Sequence, residues 1–236
     1  MRVPYGLDTI ESCMSCKASR DNFFCRFSPN VLRSVDAVSY HSVMPPGALL
    51  FVEGQIPRGV HILCPGKAKL STTSKDGKVL ILKQAEAGEV LGLSAAISGT
   101  PYEMTAETST ACQLNFISRL DLMNLLQNQS EMGVHAALAL SREFQGAYRD
   151  IHDLVLARSS SGKLARLLLS CAPITNSQSE EQRLRGMTHE EMAQRIGSSR
   201  ETVTRLLSNL KKKRLIRLEG ATLVIRDRSG LESLAV

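Results

Sequence analysis

The sequence predicts an α+β protein with a β-roll, then one long helix, then a helix pair followed by a β-hairpin. Short β-prone runs separated by glycines fill residues 43–115, and apolar residues recur at steps of three and four over residues 137–154. A capped helix pair begins near residue 187. At 236 residues, the chain is long enough for two ordinary domains.

The first predicted element is a β-roll, or jelly roll. From Val43 to about Asn115, β-prone runs alternate with eight glycines, as in a compact all-β domain. The step Lys75-Asp76-Gly77-Lys78 is a hairpin signal, because Asp-Gly tolerates the positive φ that tight turns need. We therefore assign residues 31–128 to the β-roll and residues 1–30 to an N-terminal arm.

A long helix is predicted next, over residues 129–160. Its apolar positions have the spacing of a coiled-coil seam, which favours dimerisation, although the same stripe could pack on the β-roll. These positions are Ala137, Leu140, Phe144, Ala147, Ile151 and Leu154. The tract Ser159-Ser160-Ser161-Gly162 indicates a hinge, and residues 161–236 form the last predicted domain.

The stretch from Met187 to Arg214 predicts two helices joined by a tight turn. A capping-box pattern starts the first helix, Gly197 supplies the turn, and Ser198 or Ser199 would cap the second helix. The apolar face of the second helix comprises Val203, Leu206, Leu207 and Leu210. Residues 215–226 have the pattern of a β-hairpin, so the whole unit is predicted to be a winged helix-turn-helix.

The opposite face of the second helix carries residue types that read DNA bases. Arginine can donate two hydrogen bonds to guanine, glutamate accepts one from cytosine, and threonine can touch a thymine methyl group. The candidate DNA contacts are Ser199, Arg200, Glu201, Thr204, Arg205 and Lys211. Taken singly, Glu201 could be only a capping residue and the arginines only solvent-facing. Together with the turn and the hairpin, they predict a double-stranded DNA-binding unit.

Charge and composition agree with a polyanionic partner. The net charge is +6, and it lies entirely in residues 162–236, which hold 14 basic and 8 acidic residues. The five histidines are scattered and no phosphate loop, nucleophile motif or H-E-x-x-H occurs, so we expect no enzymatic activity. No apolar run is long enough to span a bilayer and no signal-peptide pattern is present, so we expect a cytoplasmic protein without membrane contact.

These features resemble the CRP/FNR family of bacterial transcription regulators, which includes the catabolite activator protein and the fumarate-nitrate reduction regulator, FNR. The resemblance runs from about residue 13 to 235, and its most specific part is R-E-T-V-T-R at residues 200–205. It implies a cyclic-nucleotide-binding-like β-roll, a homodimer, contact with RNA polymerase, and a palindromic operator. The half-sites would be of the T-G-T-G-A or T-T-G-A-T type, which share a G-A step. Target genes and the choice between activation and repression are not set by the sequence.

The same resemblance implies where a cyclic nucleotide would bind. Cyclic-nucleotide members of the family place an Arg-Ser pair beyond a Gly-Glu turn to hold the phosphate. Here Gly88-Glu89 is followed by P-Y-E-M-T-A-E at residues 101–107, with Glu103 about where the arginine is needed. Because a carboxylate repels a phosphate, we expect that cyclic AMP is not the ligand.

The FNR branch of the family implies a role for four cysteines. That branch has an N-terminal cysteine cluster, matched here by Cys13, Cys16 and Cys25, and a distant cysteine in the β-roll, matched by Cys112. The resemblance implies that these four hold a 4Fe–4S cluster that oxygen or nitric oxide destroys. The eight residues between Cys16 and Cys25 exceed the spacing of better-known members, but a longer loop costs little closure entropy.

Other roles for the cysteines remain open. Four thiolates also suit tetrahedral zinc, and thiols that stay reduced or form a disulfide are further alternatives. Cys64 and Cys171 lie in apolar contexts and are expected to be ordinary buried residues. The leading hypothesis is a redox- or gas-responsive regulator whose cluster controls dimerisation and operator binding. The alternative is a cluster-free regulator that responds to a small molecule in the β-roll or acts constitutively.

Overall fold

The computed structural model describes residues 4–7, 9–10, 12–16, 25–156, 159–172, 182–185, 187–220 and 222–235, with the backbone alone at 149–156 and 185. The chain forms two compact units. One comprises Met1–Thr72 with Leu82–Gly146, and the other comprises Thr73–Ile81 with Ala147–Val236.

The β-roll region is preceded by helix α1 (Pro29–Ala37), which has a proline in its first turn. A proline is tolerated there because the N–H groups of the first turn lack helical partners in any case. The strands are β1 (Ser39–Met44), β2 (Leu49–Phe51), β3 (Gly59–Leu63), β4 (Lys67–Thr73), β5 (Val79–Glu86), β6 (Val90–Leu91), β7 (Thr105–Thr108) and β8 (Cys112–Ser118). Helix α2 (Leu93–Ser98) lies between β6 and β7.

Within the described residues, these strands form two four-stranded sheets, in the orders β1-β8-β3-β6 and β2-β7-β4-β5. Leu63 and Leu114 of the first sheet pack with Leu70 and Ala106 of the second, so the core of the roll lies between the sheets. The predicted Asp-Gly turn joins β4 to β5, with φ of 77° at Gly77. The predicted β-roll is therefore confirmed.

Helices cover the other face of the first sheet. Val31 and Val35 of α1 belong to one apolar cluster with Ile62, Ile117 and Met132. Met132 lies near the start of the long helix α4 (Ser130–Leu156), which follows α3 (Arg119–Asn128). Among the described residues, no helix is both long enough and apolar enough to cross a lipid bilayer.

The second unit contains the predicted helix pair and hairpin. Its elements are α5 (Ser160–Ser170), β9 (Gln182–Arg185), α6 (His189–Ile196), α7 (Arg200–Lys212), β10 (Ile216–Glu219), β11 (Thr222–Ile225) and α8 (Arg228–Leu234). Strands β10 and β11 pair antiparallel, and β9 adds a further strand on β11 that the sequence did not predict. Most of the segment between α5 and β9 lies outside the described residues.

Candidate DNA-binding surface and cysteine pocket

Three local signals set the geometry of the helix pair α6–α7. The side chain of Thr188 caps α6 by accepting a hydrogen bond from the backbone N–H of Glu191 (3.1 Å). Gly197 ends α6 with φ of 64°, a conformation that costs glycine little. The hydroxyl of Ser199 then caps α7 by accepting from the N–H of Thr202 (3.2 Å). The second of the two candidate serines is therefore the cap.

The packing of α7 against its neighbours determines which face of the helix is exposed to solvent. Val203, Leu207 and Leu210 are almost fully buried and pack with Leu164 of α5 and Met192 of α6. Each such burial is worth roughly 1.5–3 kcal/mol, so the helix cannot rotate cheaply about its axis. The opposite face of α7 is thereby fixed toward solvent.

The exposed face of α7 carries the predicted base-reading residues. Arg200, Glu201, Thr204 and Arg205 are exposed, and together with Ser208, Asn209 and Lys212 they line one shallow groove. The Thr204 hydroxyl donates to the Arg200 carbonyl oxygen and lies 2.9 Å from Nδ1 of His189. Hydrogen bonds from its own backbone N–H and from the Ser199 hydroxyl lower the pKa of Glu201, which keeps it an ionised acceptor.

Basic residues mark the far end of α7. Lys211 and Lys212 lie in its last turn, where a positive charge favours the helix dipole, and both are exposed. All six predicted DNA contacts therefore lie on the surface of α7 or at its cap. Their contact with DNA stays a prediction.

The N-terminal arm is held on the first unit by hydrogen bonds to α1 and β8. The Asp36 carboxylate of α1 accepts from the Cys13 N–H (2.8 Å) and the Ser12 hydroxyl (2.7 Å). On β8, the Gln113 side chain accepts from the Ile10 N–H (2.7 Å) and donates back to the Ile10 carbonyl. These bonds place Cys13 over the sheet face that α1 covers.

Four cysteines line one small pocket at this place, which we call the cysteine pocket. Cys13, Cys16 and Cys25, the arm cysteines, share it with Cys64 from the end of β3. The cavity has a volume of about 20 Å³, enough for about one water molecule. Most of the remaining wall is apolar and comes from Phe27, Leu32, Val35 and Ile62, with Ser12, His41 and Asn115 as polar members.

Burial keeps the thiols of Cys13, Cys25 and Cys64 neutral. It raises the pKa of Cys13, Cys25 and Cys64 to about 12 each, and electrostatic repulsion from the other cysteines adds to the increase. A hydrogen bond to the Asp36 carboxylate raises the pKa of Cys13 further. Binding a metal here would require the thiols to release their protons.

Cys112 lies elsewhere, inside the roll. It is fully buried in the core between the two sheets, and its Sγ lies 3.2 Å from the carbonyl oxygens of both Lys67 and Thr110. Among the described residues, the structure thus brings three of the four predicted ligands together and adds Cys64, which the sequence suggested was an ordinary buried residue. Cys171 ends α5 in the second unit.

The donor set of the cysteine pocket suits a thiolate-bound metal centre. The Asn115 amide donates to Sγ of Cys13 at 3.2 Å, an N–H···S contact of the kind that tunes iron–sulfur centres. Its carbonyl oxygen is held by Nδ1 of His41 at 2.8 Å. Across the described ranges, no three His, Cys, Asp or Glu side chains are already arranged around one point as metal ligands. The chemistry therefore fits, and loading would require the thiols to rearrange.

The region beyond the Gly88-Glu89 turn is rich in carboxylates. Glu89 pairs with Lys83, and Glu103 accepts from the Ser94 hydroxyl (3.1 Å). Burial raises the pKa of Glu143 of α4, with Lys83 opposing and Glu103 and Glu89 adding to the increase. Three carboxylates, those of Glu89, Glu103 and Glu143, therefore lie near one another and near the Lys83 ammonium.

Helix α4 exposes large apolar side chains. Phe144 is 64% exposed, Tyr148 is 63% exposed and Val134 is 57% exposed. Of the predicted stripe, Ala137 and Ala147 are also exposed, whereas Leu140 is half-buried against the core beside α1. The side chains of Ile151 and Leu154 lie outside the described residues.

A β-roll joined by a long helix to a winged helix-turn-helix with an exposed, basic second helix defines a DNA-binding transcription regulator. Protein-family models match residues 42–129 as a cyclic nucleotide-binding domain and residues 162–234 as a Crp-like helix-turn-helix domain. The chain belongs to the CRP/FNR family of transcription regulators.

Similar proteins extend over most of the chain. A CRP-like cAMP-activated global transcriptional regulator of Mycobacterium tuberculosis is 26% identical over 216 residues, covering 90% of this chain and 96% of the relative. The c-di-GMP responsive global regulator CLP of Xanthomonas campestris has a TM-score of 0.75 at 22% identity, covering 84% of this chain and 99% of that one. A CRP/FNR-family regulator from Thermus thermophilus has a TM-score of 0.66 at 24% identity, covering 83% of this chain and 98% of that one. These relatives are transcription regulators rather than enzymes, in agreement with the sequence prediction.

Proposed function

We propose that this regulator binds a palindromic operator as a homodimer and that a 4Fe–4S cluster on its N-terminal arm sets its affinity for DNA. The observation that carries this proposal is the meeting of the three arm cysteines in one pocket on the β-roll. Oxygen, nitric oxide or a change of redox state would be the signal. In the family resemblance, Cys112 supplies the fourth thiolate.

The arm is physically connected to the start of α4. Phe27, which lines the cysteine pocket, has its ring centroid 4.6 Å from that of His135. The next residue, Ser28, donates its backbone N–H (2.7 Å) and its hydroxyl (2.6 Å) to the Glu131 carboxylate. A displacement of Cys25 would therefore pull on the first turns of α4 through two residues of chain.

The exposed apolar face of α4 supports a homodimer. Phe144 and Tyr148 expose most of their side chains on one helix, and large exposed apolar surfaces commonly mark protein–protein interfaces. A second copy of α4 would cover these residues in a coiled-coil-like packing. Two recognition helices could then lie about one DNA turn apart, which a palindrome requires.

When bound, a 4Fe–4S cluster supplies a centre that oxygen or nitric oxide attacks and dismantles. The chain's own residues would hold the arm against the roll while their thiolates are ligated. Released thiols would regain protons in the buried pocket, and the arm would then be held only by bonds such as those of Asp36 and Gln113. A coupling of about 1–3 kcal/mol between the two sites is enough to change operator affinity about 5- to 150-fold.

The direct experiment is an anaerobic purification of the full chain, followed by visible absorption and by iron and sulfide analysis. We expect a brown protein whose absorption is bleached by air. Colourless, iron-free protein from anaerobic cells that still binds its operator would remove the cluster from the proposal. The family assignment and the DNA-binding role would stand.

A second candidate is a regulator that binds a small molecule in the β-roll. It is favoured by the match to a cyclic nucleotide-binding domain and by relatives described as cAMP-activated. The carboxylates of Glu89, Glu103 and Glu143 argue against a cyclic phosphate as that molecule. Replacing the three arm cysteines by alanine separates the candidates, because unchanged regulation would favour the small-molecule regulator. Calorimetric titration with cyclic AMP would show directly whether it binds.

A further inference from the structure

We infer that Cys64, rather than Cys112, joins the three arm cysteines as the fourth thiolate of the metal centre. This inference rests on the proposed function, because it names the ligand set of the same site. Both candidates lie in the β-roll, but they lie on opposite faces of its first sheet.

The arm lies on the face of β8 to which the odd-numbered residues point. Gln113 bonds to Ile10 of the arm, Asn115 bonds to Cys13, and Ile117 belongs to the apolar cluster of α1 and α4. Successive side chains of a strand point to opposite faces of a sheet. Cys112 and Leu114 must therefore point into the roll, and both belong to the core between the sheets.

Cys64 lies on the arm side of the same sheet. It directly follows β3, whose residues Val60 and Ile62 belong to the cluster under α1 and α4. Its backbone N–H donates to the Gln113 carbonyl (2.9 Å), so the pairing of β3 with β8 continues to this residue. Its position two residues beyond Ile62 sends its side chain to the same face, where both residues line the cysteine pocket.

Cys112 is confined where it lies. Its Sγ is 3.2 Å from two backbone carbonyl oxygens, those of Lys67 and Thr110. The backbone of Gly66 approaches so closely that a Cβ there would lie 2.5 Å from this sulfur. Reaching the arm would require Cys112 to cross its own sheet, which would break the β1–β8 and β3–β8 pairing around it.

The three arm cysteines and Cys64 already share one cavity. Cys13, Cys16, Cys25 and Cys64 all line it, whereas Cys112 lies in the core between the two sheets with its Sγ against the Lys67 and Thr110 carbonyl oxygens. Ligation would therefore need local rearrangement of side chains around a shared cavity. It would not need the β-roll to open.

The test compares the full-length wild type with Cys64→Ser and with Cys112→Ala, all purified and reconstituted anaerobically with ferrous iron and sulfide. The readout is iron and sulfide retained after desalting in the presence of a chelator. We expect Cys64→Ser to lose iron about tenfold faster or more, since a missing ligand costs at least as much as a missing second-shell partner. Cys112→Ala should retain iron like the wild type.

A second measurement guards against a variant that folds poorly. The reduced wild-type chain is treated with a bifunctional thiol reagent and mapped by mass spectrometry, and we expect Cys64 to be joined to an arm cysteine. An arm cysteine joined to Cys112, iron retained by Cys64→Ser, or iron lost by a folded Cys112→Ala would each overturn the inference. A wild type that takes up no iron would contradict both the cluster proposal and this ligand set. Retention of iron by Cys64→Ser would contradict the ligand set alone.

Discussion

His61 provides a quantitative test of how the β-roll is packed. Its ring lies on β3 between Phe51 and Phe116, at centroid distances of 6.1 Å and 5.0 Å. Its Nδ1 is buried and has no hydrogen-bond partner among the described atoms. Burial in this apolar setting lowers the pKa of His61 from 6.5 to about 4, because the charged ring would lose its hydration.

The size of the effect follows from proton linkage. Above pH 6.5 both folded and unfolded chains hold a neutral His61, so its contribution to stability is fully present. As the pH falls from 6.5 to about 4, His61 binds a proton in the unfolded chain but stays neutral in the folded chain. At about 1.4 kcal/mol per pH unit, the free energy of unfolding should fall by about 3 kcal/mol over this window.

The assay is urea unfolding of the full chain at several pH values, comparing the wild type with His61→Phe and His61→Gln. Neither replacement titrates, so both variants should gain about 2–3 kcal/mol relative to the wild type between neutral pH and about pH 4.5. At neutral pH the free energy of unfolding of His61→Gln should be lower than that of the wild type, because the variant buries a polar amide. If all three proteins lost stability in parallel, the buried neutral imidazole would be refuted.

Three further predictions concern the proposed function. Arg205→Ala should weaken operator binding, measured by fluorescence anisotropy, about tenfold or more. The control Arg58→Ala removes the same charge from the first unit and should leave operator affinity nearly unchanged. Equal losses of affinity in the two variants would show that Arg205 does not contact a base. Phe144→Glu should raise the dimer dissociation constant about tenfold or more by analytical ultracentrifugation, and an unchanged constant would rule out this face of α4. Glu131→Ala should keep the wild-type iron content, but exposure to air should change its operator affinity less than that of the wild type. A change in affinity as large as in the wild type would show that the Ser28–Glu131 contact does not link the arm to DNA binding.

The helix-turn-helix could be predicted from the sequence because its signals are local. Gly197 and the serine cap act within one turn of helix, and the apolar spacing of α7 fixes the side that is buried. The exposed base-reading residues then follow from helical geometry alone. Strand β9 was missed because a four-residue polar strand gains its stability from pairing with β11 rather than from its own composition.

The cysteine pocket could be predicted only in part. The short spacing of Cys13 and Cys16 keeps these two near each other in most folds, whereas Cys25 lies nine residues further along and meets them only through the folded arm. The choice between Cys64 and Cys112 depends on which face of β8 the arm covers. A shift of one residue in strand register would turn the other set of side chains toward the arm and reverse this choice. Neither cysteine carries that information in its own neighbourhood of the sequence. The Gln113 and Asn115 contacts, which show the face of β8 that the arm covers, join residues about one hundred positions apart in the chain.

The most direct test of the central claim is the operator affinity of the anaerobically prepared full chain before and after a brief exposure to air. Fluorescence anisotropy with palindromic duplexes of both half-site types, read beside the visible absorption, follows affinity and cluster together. We expect affinity to fall about tenfold or more as the absorption bleaches, and to recover on reconstitution with iron and sulfide. A bleached protein that binds the same duplex with undiminished affinity would contradict the claim that the arm cysteines govern DNA binding.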